Sequence, residues 1–166
     1  MRQMTLEDFV MTTVTSRSTK DYNLAKPTWF LIHVDAGQLS DYDIYKRTTE
    51  GFYRHDVDAL ISAYQPLAHK KITSRIIGKS IRTLQRQNSA GRSERLDALQ
   101  SAIAFQYAKV LEDAINVFGD QQLAEQWLSR PCKYLDGDIP LDVIHNPMGF
   151  QAVEDYLERI KYGVYQ

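Results

Sequence analysis

An apolar repeat in the second half of the chain constrains the fold most. Leu96, Leu99, Ile103, Tyr107, Val110, Ala114 and Phe118 follow at gaps of 3, 4, 4, 3, 4 and 4 residues, the spacing of one face of an α-helix. Gly119 is a natural left-handed stop, and Asp120 caps a following helix that carries Leu123, Ala124, Trp127 and Leu128 on one side and ends at Pro131. The turn Asp136-Gly137-Asp138 leads to a short helix over 140–144, with Asp138 as its starting residue. Asn146 then caps a final helix that has Pro147 in its first turn, Val153, Tyr156, Leu157 and Ile160 on its apolar side and Gly163 beyond its end. Upstream, Val57, Leu60, Ile61 and Tyr64 define another helical face, closed by Pro66. Residues 51–166 therefore read as all-α.

The first 50 residues carry a weaker signal. Thr12 to Thr15 and Trp29 to Val34 favour β structure by composition, although short apolar runs do not separate strand from buried helix. Ser40 with Asp43 three residues on resembles a helix start. The expectation is a loosely attached extension, 1–50, with one buried apolar segment.

Composition excludes several classes. Hydrophobic residues at 43% and charged residues at 25% are the balance of a folded domain, not of a disordered chain. No apolar run approaches the roughly 18 residues that cross a bilayer, and Met1 to Asp8 lack a signal-peptide core. The single Cys132 forms no internal disulfide and has no zinc-finger spacing. A cytoplasmic protein is the expectation.

Charge is distributed unevenly. Residues 51–95 hold 9 Lys and Arg against 3 Asp and Glu, whereas residues 96–166 hold 5 against 11. No acidic residue lies between Asp58 and Glu94. Either one domain carries a lopsided surface, or a basic module for a polyanion precedes an acidic module for another partner. Within the basic stretch, Ile72 to Ile77 and Ile81 to Gln87 flank Gly78-Lys79-Ser80, the pattern of a helix-turn-helix. Ile81 and Leu84 would face inward, which leaves Lys79, Ser80, Arg82, Thr83, Gln85 and Arg86 for phosphates and base edges. A plain helical hairpin with a solvated cationic face is the competing reading.

Enzyme signatures are weak. His33, His55, His69 and His145 are scattered without metal-ligand spacing. Asp136, Asp138 and Asp142 imitate the start of a calcium loop but lack its distal glutamate. Cys132 has no neighbouring base, and no phosphate-cradling loop or nucleophile elbow occurs. The chain reads as non-enzymatic, with no catalytic residue, no metal and no cofactor. The tail, Arg159 to Gln166, holds Tyr162, Val164 and Tyr165, residue types enriched at interfaces. On residue types alone, packing against its own domain is the preferred account of it.

An ordered set of short motifs changes that balance. Phe118-Gly119-Asp120, Ala124-Glu125-Gln126-Trp127-Leu128 with Pro131, Leu135 to Leu141, Gly149 and Val153, Leu157-Glu158-Arg159-Ile160 and Tyr162-Gly163-Val164-Tyr165 together resemble the toxin-binding domain of the Xre/MbcA/ParS antitoxin family. Ser80 to Arg86 and Ser93 to Leu96 resemble that family's Xre-like helix-turn-helix and the start of its linking helix. The likeness covers about residues 55–166.

The resemblance implies an Xre-like helix-turn-helix module (51–95), then a linking helix and small toxin-binding domain (96–166), in an antitoxin of a type II toxin–antitoxin pair. Its partner would be a RES-domain toxin, with Arg159, Lys161, Tyr162, Gly163, Val164, Tyr165 and Gln166 as the implied contacts. Operator DNA would meet Lys79, Ser80, Arg82, Thr83, Gln85 and Arg86, and a homodimer would sit within a larger complex, away from any membrane. Trp127, Leu128, Leu157 and Ile160 would build the small core. Ile139 departs from the family's usual hydroxyl residue before Pro140 and removes a helix cap of about 1 kcal/mol. Gln85 and Gln87 stand where basic residues are frequent. A free-standing helix-turn-helix regulator with a C-terminal dimerisation domain is the alternative.

Overall fold

Backbone N–H groups at a helix start need acceptors, and a short polar side chain supplies one at four of the eight described α-helices. The structure, a computed structural model, describes residues 26–78 and 94–163. Within them lie α1 (Trp29–Ile32), α2 (Asp41–Glu50), α3 (Arg54–Ala63), α4 (Lys70–Ile77), α5 (Ala98–Phe118), α6 (Gln121–Leu128), α7 (Pro140–Val143) and α8 (Pro147–Lys161). Two 3-10 turns, Ala36–Gln38 and Lys133–Leu135, complete the regular structure, and one isolated bridge joins Tyr53 to Arg95. The fold is all-α, as expected. Ser40 accepts from the Asp43 N–H, Asp120 from Leu123 and Asn146 from Met148. Asp97 and Gln100 exchange side-chain and backbone bonds in a capping box at the start of α5.

Helix α5 is the axis of the molecule, with α2, α4, α6 and α8 packed against it. It is enclosed on more than one side: Ala104, Ala108 and Leu111 are buried as well as Tyr107, Val110 and Ala114. A single apolar stripe therefore understates it. Two members of the expected stripes face water. Leu99 in the first turn of α5 is 70% exposed, and Leu123 on α6 is 53% exposed. Leu96 is buried, but ahead of the helix, where its N–H donates to the Phe52 carbonyl at 2.8 Å. Beside it, Gly51 at φ 84° leaves no room for a Cβ against the Leu96 carbonyl.

Residues 26–50 differ from expectation. Trp29 to Ile32 form a helix rather than a strand, and Phe30, Leu31 and Ile32 are buried in the common core. The attachment is tight. Glu112, buried in the middle of α5, accepts from the Thr28 N–H at 3.1 Å and the Thr28 hydroxyl at 2.5 Å, with Lys26 at 3.9 Å from its other oxygen. A carboxylate taken out of water needs such partners, so this one pins the N-terminal segment across α5. The segment Thr12 to Thr15 lies outside the described residues.

Helix α4 ends at Gly78, and the Ile77 carbonyl accepts from Gln100 Nε2 at 2.5 Å. Ile72, Ile76 and Ile77 fill the gap against α5. The second helix of the expected helix-turn-helix lies outside the described residues.

Candidate functional site

The C-terminal helix is positioned from both ends. At its start, Asn146 caps α8, and Gly149 lets the helix lie directly on the Val143 carbonyl of α7, where a Cβ would collide with backbone. Further along, Val153 and Leu157 are buried against α5, while Ile160 is half-buried. Trp127 is also half-buried and Leu128 fully buried, so the small core holds the four expected residues to different depths. Asp138 does not cap α7: the N-cap position is Ile139, whose side chain offers no acceptor, and the Asp138 carbonyl instead receives the Cys132 N–H. Pro140 in the first turn lessens the loss, because it has no N–H to satisfy.

Across this core runs a column of rings. Phe118 meets Trp127 at 5.6 Å between centroids, Trp127 meets Tyr156 at 6.0 Å, and Tyr156 stacks on Tyr134 at 4.5 Å with planes 7° apart. The column thus crosses from the end of α5 through α6 and α8 to the Lys133–Leu135 turn. Arg159 caps it, its guanidinium 5.0 Å above the Tyr134 ring. Two residues on, the Lys161 ammonium lies 5.5 Å over the ring of Tyr162, which is 71% exposed. Neither cation has a carboxylate within ion-pair distance among the described residues.

Two other groups of charges are paired. A groove of about 260 Å³ between α5 and α8 contains Lys109, Asp113 and Glu154, with Lys109 bound to Asp113 and 3.8 Å from Glu154. Burial pushes the Glu154 carboxyl up, against the pull of Lys109. On the far side, Arg75 of α4 donates to Asp142 of α7 at 2.6 Å and to the Leu141 carbonyl at 3.3 Å, and Lys71 adds a contact to Asp142 at 3.0 Å. Burial alone would raise Asp142, but the bonds from Arg75 and Lys71 prevail and hold it below the usual aspartate range. The buried Tyr107 hydroxyl donates to the same Leu141 carbonyl at 3.1 Å, and burial pushes that phenol up to about 12. The basic stretch and the C-terminal region are therefore fastened at α7, a contact with no signature in sequence.

Of the residues expected to contact a toxin, the structure brings Arg159, Lys161, Tyr162 and Gly163 together, all exposed at the end of α8. Val164, Tyr165 and Gln166 lie outside the described residues, as do Lys79, Ser80, Arg82, Thr83, Gln85 and Arg86. Of the four histidines, His33 and His55 meet on the buried carboxylate of Asp56, at 3.2 and 3.3 Å. No cluster of three or more His, Cys, Asp or Glu among the described residues is placed to hold a metal, and no described helix is long and apolar enough to cross a membrane.

Residues 113–163, which hold the ring column and the whole of α8, match the antitoxin Xre/MbcA/ParS C-terminal toxin-binding domain. Over that stretch the chain is similar to an antitoxin domain of the Xre/MbcA/ParS type. The chain is 28% identical over 126 residues to the antitoxin Xre of Pseudomonas putida, covering 75% of this chain and 74% of that one. Tyr134 and Tyr156, absent from the expected contacts, belong to the matched domain and form the platform on which Arg159 rests. Tyr134 has no periodic neighbour in sequence to mark it.

Proposed function

We propose that the chain is an antitoxin and neutralises a RES-domain toxin by laying the last turn of α8 and the tail, residues 159–166, over the toxin's cleft. One observation carries this reading. The matched toxin-binding domain ends in an exposed turn where Arg159, Lys161 and Tyr162 are held by ring contacts and engage no carboxylate among the described residues. Such a turn is ready to bind without first breaking internal ion pairs, a saving in the cost of association. Neutralisation here is steric and needs no catalysis by the antitoxin, which works in the cytoplasm alongside its toxin. Deleting Tyr162 to Gln166 abolishes protection in a co-expression growth assay while circular dichroism stays helical. Full protection by the truncated chain sinks the tail assignment.

The same reading assigns the basic stretch to operator DNA and to a homodimer within the toxin complex. It rests on the acid-free run from 59 to 93 and on the resemblance of Ser80 to Arg86. Lys79, Ser80, Arg82, Thr83, Gln85 and Arg86 contact the duplex. Arg82→Ala with Arg86→Ala lowers the slope of log affinity against log salt by about two units, close to one for each phosphate that is no longer neutralised. An unchanged slope in a promoter-binding titration rejects the assignment.

A further inference from the structure

Among the described residues, two arginines lie over tyrosine faces, and their surroundings differ. Arg95 sits 4.2 Å above the Tyr53 ring, and its donors are engaged: 2.7 Å to the Gly51 carbonyl, 3.3 Å to the Glu50 carbonyl and 2.9 Å to the Tyr53 hydroxyl. That guanidinium closes a backbone turn. Arg159 sits 5.0 Å above Tyr134 but engages no acceptor among the described residues, although its own helix carries Asp155 and Glu158. A guanidinium has five donors in a planar fork and binds carboxylates two bonds at a time. Held over a ring and without an acceptor among the described residues, it is available to an acceptor that the described chain does not supply.

The ring beneath it is itself fixed. Tyr134 stacks at 4.5 Å and 7° on Tyr156, which is backed by Trp127 and then Phe118, so the platform is tied to the core through three further aromatic side chains. Tyr134 is 40% exposed, which leaves part of it at the surface. An unsupported arginine would sample many rotamers and lose that freedom on binding, whereas one resting on a stacked column has less to lose.

We propose that Tyr134 is a positioning residue for toxin recognition: stacked on Tyr156, it holds the Arg159 guanidinium in place for a carboxylate of an acidic patch on the toxin. This rests on the end of α8 being a toxin contact. The polarity fits, since Arg159 and Lys161 form a cationic spot on a C-terminal region with 5 basic and 11 acidic residues. A basic patch on the partner would meet the remainder of that acidic surface, but not this turn. Tyr134 contributes through the orientation of Arg159, and its effect disappears when Arg159 is absent.

The test is a double-mutant cycle on the full chain with the toxin encoded beside it, read by titration calorimetry at two salt concentrations. Arg159→Ala weakens binding by about ten-fold and flattens its salt dependence, as expected when one partner of an interfacial charge pair is removed. Tyr134→Leu keeps an apolar side chain on Tyr156 but removes the π face, and weakens binding by about three-fold, the scale of an exposed cation–π contact. In the Arg159→Ala background the same change has no effect, and Tyr134→Phe binds like the parent. Should Tyr134→Leu unfold the domain, Tyr134→Phe together with Arg159→Lys replaces it: the lysine loses the planar fork and weakens binding about as much as alanine. Equal losses from Tyr134→Leu in both backgrounds, or full affinity of Arg159→Lys, overturn the proposal. A parent chain that does not bind the toxin at all overturns the toxin-contact reading and this inference with it. A parent that binds while Arg159→Ala is silent removes only the latter.

Discussion

The seam around Arg95 and the end of α8 around Arg159 are built from the same residue pair and come to opposite ends. At the seam, Tyr53 and Arg95 form the isolated bridge, the Arg54 N–H donates to the Glu94 carbonyl at 2.8 Å, and the guanidinium satisfies backbone carbonyls. The arginine's donors there are engaged within the chain. At the end of α8 the cation lies over a ring and its donors meet no acceptor among the described residues. A cation–π contact is worth little by itself at an exposed site, so what surrounds the arginine decides its use. Engaged donors make it part of the fold; free donors make it a group for another molecule.

The largest test of this contrast lies deeper, at Glu112. Its carboxylate holds Thr28, and removing it leaves a buried N–H and hydroxyl without acceptors. Glu112→Ala lowers unfolding free energy by about 3 kcal/mol, measured by urea denaturation, and toxin affinity follows only as far as folded protein is lost. A stable Glu112→Ala chain would show that residues 26–50 are held by apolar packing alone. Next comes Arg95→Ala, which costs about 1 kcal/mol of stability by removing the bonds to the Gly51 and Glu50 carbonyls and leaves toxin affinity unchanged. If Arg95→Ala instead weakened toxin binding as much as Arg159→Ala, the division between closed and open arginines would be wrong.

A smaller effect separates the two ends of the molecule by pH. Asp142 is held below its ordinary value of 3.8 in the folded chain, so its stabilisation is complete above that value and is lost as pH falls through the lower folded one. Asp142→Ala removes about 1 kcal/mol at neutral pH and flattens the acid limb of the stability profile below about pH 4. An unaltered acid limb in the variant would assign that sensitivity to other carboxylates. Toxin affinity at neutral pH stays unchanged, since α7 and the end of α8 are separate surfaces in this reading.

The legible part of the fold is local. Ser40, Asp120 and Asn146 each start a helix with a side-chain acceptor a few residues from its donor, and Gly119 stops α5 in the left-handed region. Such signals need no knowledge of the rest of the chain. Val57, Leu60, Ile61, Tyr64, Val153 and Leu157 are likewise recognisable as buried, because their helices turn one face to the core. Where a helix is enclosed from several sides, as α5 is, the pattern blurs, and Glu112 gives no sign of its burial. Trp29 to Ile32 lack the length over which helix and strand periods diverge.

The candidate site divides in the same way. Arg159, Lys161 and Tyr162 are legible because they end a capped helix and match an ordered motif set, both of which are properties of neighbouring residues. Tyr134 becomes part of the site only when the chain brings the Lys133–Leu135 turn beside α8 and stacks its ring on Tyr156. The Arg75–Asp142 fastening joins residues 67 apart, and the Thr28–Glu112 bond residues 84 apart. Sequence alone determined where helices begin, end and turn their apolar faces, because those choices depend on hydrogen bonds and side chains within a turn or two. Which charges are closed off and which are left for a partner was decided by tertiary structure, because an acceptor is available only where packing has placed it.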